Sequence, residues 1–219
     1  MMLEFDGAAW LTGLGILAAA LFVLRSRGKA YLVFFSVFWV YVLVLVSVTL
    51  FPIPLGIDAG VKFGTLWQQI NFMFKYSGLN LVPLYFGNCW ELPQACAAGI
   101  YENILMTVPF GFGINFLARL KSRDFIWLAL MVGLLIETIQ FALDVALGGV
   151  FRSVDANDVL FNGLGIWIGY GLFVGFAWLF LAITRRFDLQ HTGLMEYIHG
   201  IAGHLQAEAC PSETGGLEK

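Results

Sequence analysis

Charge is what this chain has least of. Only 12% of its 219 residues are Asp, Glu, Lys or Arg and 59% are apolar, whereas a soluble domain carries about 25% charged residues. Mean hydropathy is +0.81. Too little polar surface remains to cover a water-soluble globule of this length, so a soluble domain is excluded. Histidine is equally scarce. The three present, His191, His199 and His204, follow the last apolar run at spacings that do not form a ligand set, so no histidine-based metal site is expected inside a membrane. No Ser/His pairing, glycine-rich phosphate loop or internal repeat occurs. The net charge of −3, with no basic tract, gives no reason to expect a nucleic-acid partner. Nothing in the sequence identifies a cofactor.

What is there is length without charge. Gly7–Leu24, Ala30–Ile57 and Phe125–Ile136 hold no charged side chain. A helix needs about 20 apolar residues to cross the hydrocarbon core. Five segments meet that need, at residues 8–24, 30–51, 99–117, 125–147 and 156–184. The expectation is an all-α bundle of about five transmembrane helices over residues 8–186, followed by a tail over 187–219. The N-terminus carries Glu4 and Asp6 rather than a basic leader, so the first segment is expected to be a retained anchor.

Lysine and arginine set the expected orientation, because cytoplasmic turns are enriched in them. Eight of the twelve (Arg25, Arg27, Lys29, Arg119, Lys121, Arg123, Arg185 and Arg186) follow spans one, three and five. Lys62, Lys75 and Arg152 lie on the other side, and Lys219 at the C-terminal end. This places the N-terminus outside and the C-terminus in the cytoplasm of a multi-pass membrane protein. The long segment 52–98 is then external. Within it Phe63, Leu66, Trp67, Ile70, Met73 and Phe74 recur at helical spacing, while Gln68, Gln69 and Asn71 lie mostly away from them, which predicts an interfacial amphipathic helix. Cys89 and Cys96 in the same segment would meet an oxidising compartment and are candidates for a disulfide; Cys210 would be a cytoplasmic thiol. In the tail, Leu194, Ile198, Ile201 and Leu205 share one possible helical face, and the last residues have a disordered composition.

The polar residues inside the spans gather at one end. Glu137, Gln140 and Asp144 are spaced i, i+3, i+7 and share a face of span four. Asp155, Asp158 and Asn162 repeat that spacing down span five, and Glu102 and Asn103 open span three. An ionisable group at the centre of a membrane helix costs about 2.5–3.5 kcal/mol on insertion scales, so each needs a partner or a purpose. Two readings stand for most of them. Asp155 and Asp158 suit the first turn of a helix as caps, and Gln140 and Asn162 suit hydrogen bonding between helices. The alternative is one polar cavity open to the outside with Glu137 at its floor and Arg152 balancing the carboxylates. Pro109-Phe-Gly-Phe-Gly113 is expected to kink or unwind span three. Gly165/Gly169 and Gly171/Gly175 are expected to pack helices closely.

Three blocks resemble the VanZ-like family of bacterial membrane proteins. These are Asn80-Leu-Val-Pro-Leu84, with Leu84 where the family usually has Phe; Asn103 through Pro109-Phe-Gly111; and Glu137-Thr-Ile-Gln140 with Arg152-Ser-Val-Asp155, Asn157-Asp158 and Asn162-Gly-Leu-Gly165. The family is named for a protein giving low-level resistance to teicoplanin, a lipoglycopeptide that binds cell-wall precursors outside the membrane. The resemblance implies a bacterial cytoplasmic-membrane protein and puts Asn80, Asn103, Glu137, Gln140, Arg152, Asp155, Asp158 and Asn162 in the shared pattern. Glu102 and Asp144 join them on charge alone. Three functions fit. One is binding of a membrane lipid, a lipid-linked cell-wall precursor or the lipoglycopeptide itself. Another is an enzyme on lipid head groups, with Glu137 as base and Asp155 and Asp158 holding a divalent ion. The third is a small transporter or flippase, which the apolar inner halves of the spans disfavour.

Overall fold

The computed structural model describes residues 2–54, 65–75, 78–87, 89, 91–147, 151–190 and 192–209. Lys62, Phe63, the Gly148-Gly149 pair, His191, Cys210 and the terminal stretch lie outside these. Among the described residues the chain is nearly all helix: α1 (Gly7–Val23), α2 (Lys29–Leu50), α3 (Leu66–Lys75), α4 (Pro93–Gly113), α5 (Asp124–Leu147), α6 (Ala156–Arg186) and α7 (Leu194–Ala209). Two short pairings complete it. β1 (Met2–Leu3) runs antiparallel to β2 (Ile53–Pro54), and β3 (Leu79–Asn80) runs parallel to β4 (Val154–Asp155).

Local chemistry sets the helix ends. The Asp6 carboxylate accepts from the Ala8 and Ala9 amides at 3.1 Å and starts α1. α2 stops at Leu50 because Phe51 precedes a proline and is extended, where a helical conformation would clash with the proline ring. α2, α5 and α6 are long and apolar enough to cross a bilayer; α1 is apolar but only 17 residues long. α4 has 21 residues, with Glu102 and Asn103 in its first half. The protein is thus all-α and membrane-like.

α6 is the hub, packed by α4 and α5 along its length and by α7 at its far end. α4 approaches it backbone to backbone. A Cβ on Gly165 would strike the Thr107 hydroxyl and Ile104 carbonyl, one on Gly169 the Val108 carbonyl, and one on Gly111 the Ile166 carbonyl. Gly171 and Gly175 differ from expectation: a Cβ there meets nothing within 4 Å, because both lie on the outward side of α6. The α4 backbone stays helical through Pro109 to Gly113 and tightens to a 3-10 turn only over Ile114–Phe116, so the expected unwinding at the proline does not occur. On the other flank Phe125 stacks on Tyr170 with ring centroids 4.1 Å apart, and Ser122 and Tyr170 share a 2.6 Å hydrogen bond. α7 seats Ile201 and Ala202 on α6, and the Tyr197 hydroxyl donates to the Phe116 carbonyl at 2.5 Å.

α3 is amphipathic, as expected. Gln69 and Met73 are buried, while Leu66, Trp67 and Phe74 are exposed. In an apolar solvent the inward position goes to the side chain that has a polar partner. Gln69 Nε2 donates to the Asp144 carbonyl at 2.7 Å.

The glycine contacts give a direct test. Gly165→Ala or Gly169→Ala should lower thermal stability of the purified protein in detergent by about 1–3 kcal/mol, the usual range for overpacking. Gly171→Ala should leave it unchanged. Equal unfolding midpoints for the three variants would mean that α4 and α6 are not in backbone contact.

Candidate functional site

At the end of the bundle where α4 and α6 begin and α2 and α5 finish, the helices part around a cavity of about 990 Å³. Its walls come from the C-terminal turn of α2, Phe74 of α3, the first half of α4, the later turns of α5, the start of α6, and residues 79–87 with Cys89. Asn80, Glu102, Asn103, Gln140, Arg152, Asp155 and Asp158 line it.

The polar side is built on Asp155. The β3–β4 register sets Asn80 beside Asp155, and Asn80 Nδ2 donates to Asp155 Oδ1 at 2.9 Å. The same oxygen caps α6 by accepting the Asn157 amide at 2.8 Å. The Asp155 amide in turn donates to Glu137 Oε2 at 2.9 Å. In a capping box the third helical residue reaches back to the cap amide; here a carboxylate from another helix does so. One turn further along α6, Asn103 Nδ2 donates to Asp158 Oδ1 at 2.6 Å, joining α4 to α6.

The loop 80–87 is held by side-chain amides. The Val82 amide donates to Asn80 Oδ1 at 3.1 Å, and Asn80 Nδ2 also reaches the Tyr85 carbonyl at 3.1 Å. Asn157 accepts from the Leu84 amide at 2.6 Å and donates to the Tyr85 carbonyl at 2.7 Å. Leu84 sits at φ +62, a left-handed conformation that is rare for a branched side chain and is held here by that bond. Cys89 and Cys96 are joined by a disulfide, tying the loop to the first turn of α4.

Arg152 lines the cavity with Asp155 and Asp158 but pairs first with a carbonyl. Its Nη2 donates to the Phe51 carbonyl at 2.6 Å. Gln140 acts in parallel, donating from Nε2 to the Thr49 carbonyl at 3.2 Å. The last carbonyls of a helix lack intrahelical donors, and these two side chains supply them at the end of α2.

Three of the sequence candidates stand behind the cavity. Glu137 is 6% exposed, Asp144 1% and Asn162 0%, and none lines the wall. Glu137 is therefore not the floor of the cavity but a support for the Asp155 backbone. Asp144 Oδ1 accepts the Phe151 and Arg152 amides at 3.0 and 3.3 Å and so folds the α5–α6 connection. Asp144 Oδ2 and both side-chain atoms of Asn162 have no partner among the described residues. Nor do three His, Cys, Asp or Glu side chains come together there as a metal site. Sequence reasoning passed over Asn157, 4% exposed, because it stands off the i, i+3, i+7 pattern. Its only signal was its place beside Asp158 in the third block.

An all-α membrane fold with a polar cavity at one end defines a class of small bundle proteins. The family model described as VanZ/LLP1 matches residues 38–181, from within α2 to within α6, and the chain belongs to that family. The matched span holds every residue lining the cavity. No curated protein and no solved structure matches the chain.

The Glu137–Asp155 bond sets a measurable expectation. Glu137→Gln keeps an acceptor for the Asp155 amide and should accumulate as the parent does. Glu137→Ala leaves that amide unpaired and should lose about 1–3 kcal/mol, the penalty of an unsatisfied buried donor. Unfolding of both variants in detergent decides it; a Gln variant as unstable as the Ala variant would show that charge, not acceptance, is what matters.

Proposed function

We propose that this protein binds the head group of a cell-envelope lipid in the cavity, with α1, α2, α4, α5 and α6 crossing the bacterial cytoplasmic membrane and the cavity facing outward. The observation that carries the reading is that the lining joins polar groups to the exposed apolar surface of the bundle. Asp155, Asp158, Asn103 and Asn80 line the cavity, and so do Val48 and Leu105, which are 61% and 67% exposed. A wall continuous with the lipid-facing surface admits an amphiphile whose head enters the cavity and whose chains stay in the bilayer. Tyr41, donating to the Met106 carbonyl at 2.7 Å, and the two caps on Thr49 and Phe51 brace α2 below and above that opening.

The orientation is supported by the basic residues. Arg25, Arg27, Arg119, Lys121, Arg123, Arg185 and Arg186 all lie at the ends of these helices away from the cavity. An outward cavity puts the site where lipid-linked cell-wall precursors and lipoglycopeptides meet. Occupying it with either would alter drug access to the wall, which is the route by which the protein contributes to teicoplanin-type resistance.

The orientation is tested by labelling. In a Cys210→Ser background, a cysteine at Leu92 should react with an impermeant thiol reagent added to whole cells and one at Arg123 should not. Reversed labelling would put the cavity on the cytoplasmic side and remove the reading. The function is tested by lipoglycopeptide susceptibility together with lipid retention. A Val48→Trp variant that accumulates normally should lose both retained lipid and any added drug tolerance.

A further inference from the structure

We infer that the head group taken by the cavity is a zwitterionic phosphate ester with a primary ammonium, the phosphoethanolamine class. This rests on the lipid-binding reading and narrows it. The inference comes from which hydrogen-bonding capacity the protein leaves unused. Four side-chain amides line the cavity, and each has its NH2 bonded within the protein at least once: Asn80 to Asp155 and Tyr85, Asn103 to Asp158, Gln140 to Thr49 and Asn157 to Tyr85. The unused capacity that carries charge is on the carboxylates. Asp155 and Asp158 each have one carboxylate oxygen bonded within the protein, and among the described residues no side-chain donor meets the second. Glu102 adds a further carboxylate to the lining.

Carboxylate oxygens that meet no protein side-chain donor call for a ligand that donates. A primary ammonium carries three donors and a charge opposite to the wall. A quaternary ammonium carries the charge but no donor, and would leave those oxygens unpaired. A glycerol head group donates but brings no positive charge. The single cation in the lining is Arg152. One of its nitrogens caps Phe51 and, among the described residues, no carboxylate forms an ion pair with it. The remaining guanidinium donors suit the phosphate of the same head group, since a planar fork matches phosphate oxygens. The lining carboxylates and the remaining guanidinium donors therefore correspond to the two charges of one zwitterion.

The test uses the full chain purified from nanodiscs of equimolar phosphatidylethanolamine, phosphatidylglycerol and phosphatidylcholine, with bound lipid counted by native mass spectrometry. Phosphatidylethanolamine should be retained about tenfold over each of the others, the discrimination expected of one or two charge-assisted hydrogen bonds. Asp158→Asn keeps the acceptor for Asn103 but removes the charge, and should bring the ratio near parity. Glu102→Gln, at an exposed site with no structural partner to lose, should reduce the ratio in the same direction and serves where Asp158→Asn does not accumulate. Arg152→Gln should lower retention of all phospholipids alike. Equal retention of phosphatidylcholine, or preference for phosphatidylglycerol, would overturn the ammonium assignment while leaving a lipid site standing. No lipid retained beyond that of the Val48→Trp variant would remove the lipid reading itself.

Discussion

The close approach of α4 to α6 is the contact on which the bundle is built. Thr107 donates to the Asn162 carbonyl at 2.8 Å across that interface, and Gly165 and Gly169 leave room for the α4 backbone. That approach fixes the register of the two helices. One turn nearer the cavity it brings Asn103 within 2.6 Å of Asp158. With lipid tails as apolar as leucine, helices in a membrane gain little from burying hydrophobic surface against one another. Small residues and short hydrogen bonds do that work instead, and here they run in sequence from the glycine contacts to the polar end.

From that contact outward, the carboxylates divide into two kinds. Asp144 and Glu137 are turned to backbone amides and hold the connection into α6. Asp155 and Asp158 face the cavity while keeping one oxygen each for the protein. Asp155 belongs to both groups, since it caps α6, pairs with Asn80 and lines the space. The opposition between a capping and a functional reading of that residue dissolves in the geometry. One carboxylate has enough lone pairs for both tasks.

The fold was legible where a periodic signal existed. Charge-free runs and basic turns marked the long helices to within a few residues, apart from α4, which begins six residues before the expected 99. Helical spacing also showed that Glu137, Gln140 and Asp144 share a face. It could not show how far each reaches, and so it did not separate Gln140 on the cavity wall from Glu137 and Asp144 behind it. The inward turn of Gln69 on α3 was not legible, because its partner, the Asp144 carbonyl, lies 75 residues away in sequence. The bond from Arg152 to the end of α2 was not legible either, because nothing in the local sequence ties residue 51 to residue 152.

The disulfide has a mechanical consequence. Cys89 and Cys96 both belong to the cavity lining, one on the loop and one on α4, so the wall between them is covalently closed. The loop is stitched to α6 through Asn157 on its other side. At the cavity the edge of α2 has no such bond: Tyr41 reaches the Met106 carbonyl, and Gln140 and Arg152 reach its last carbonyls. One side of the wall is therefore fixed by a covalent link and the other by reversible contacts.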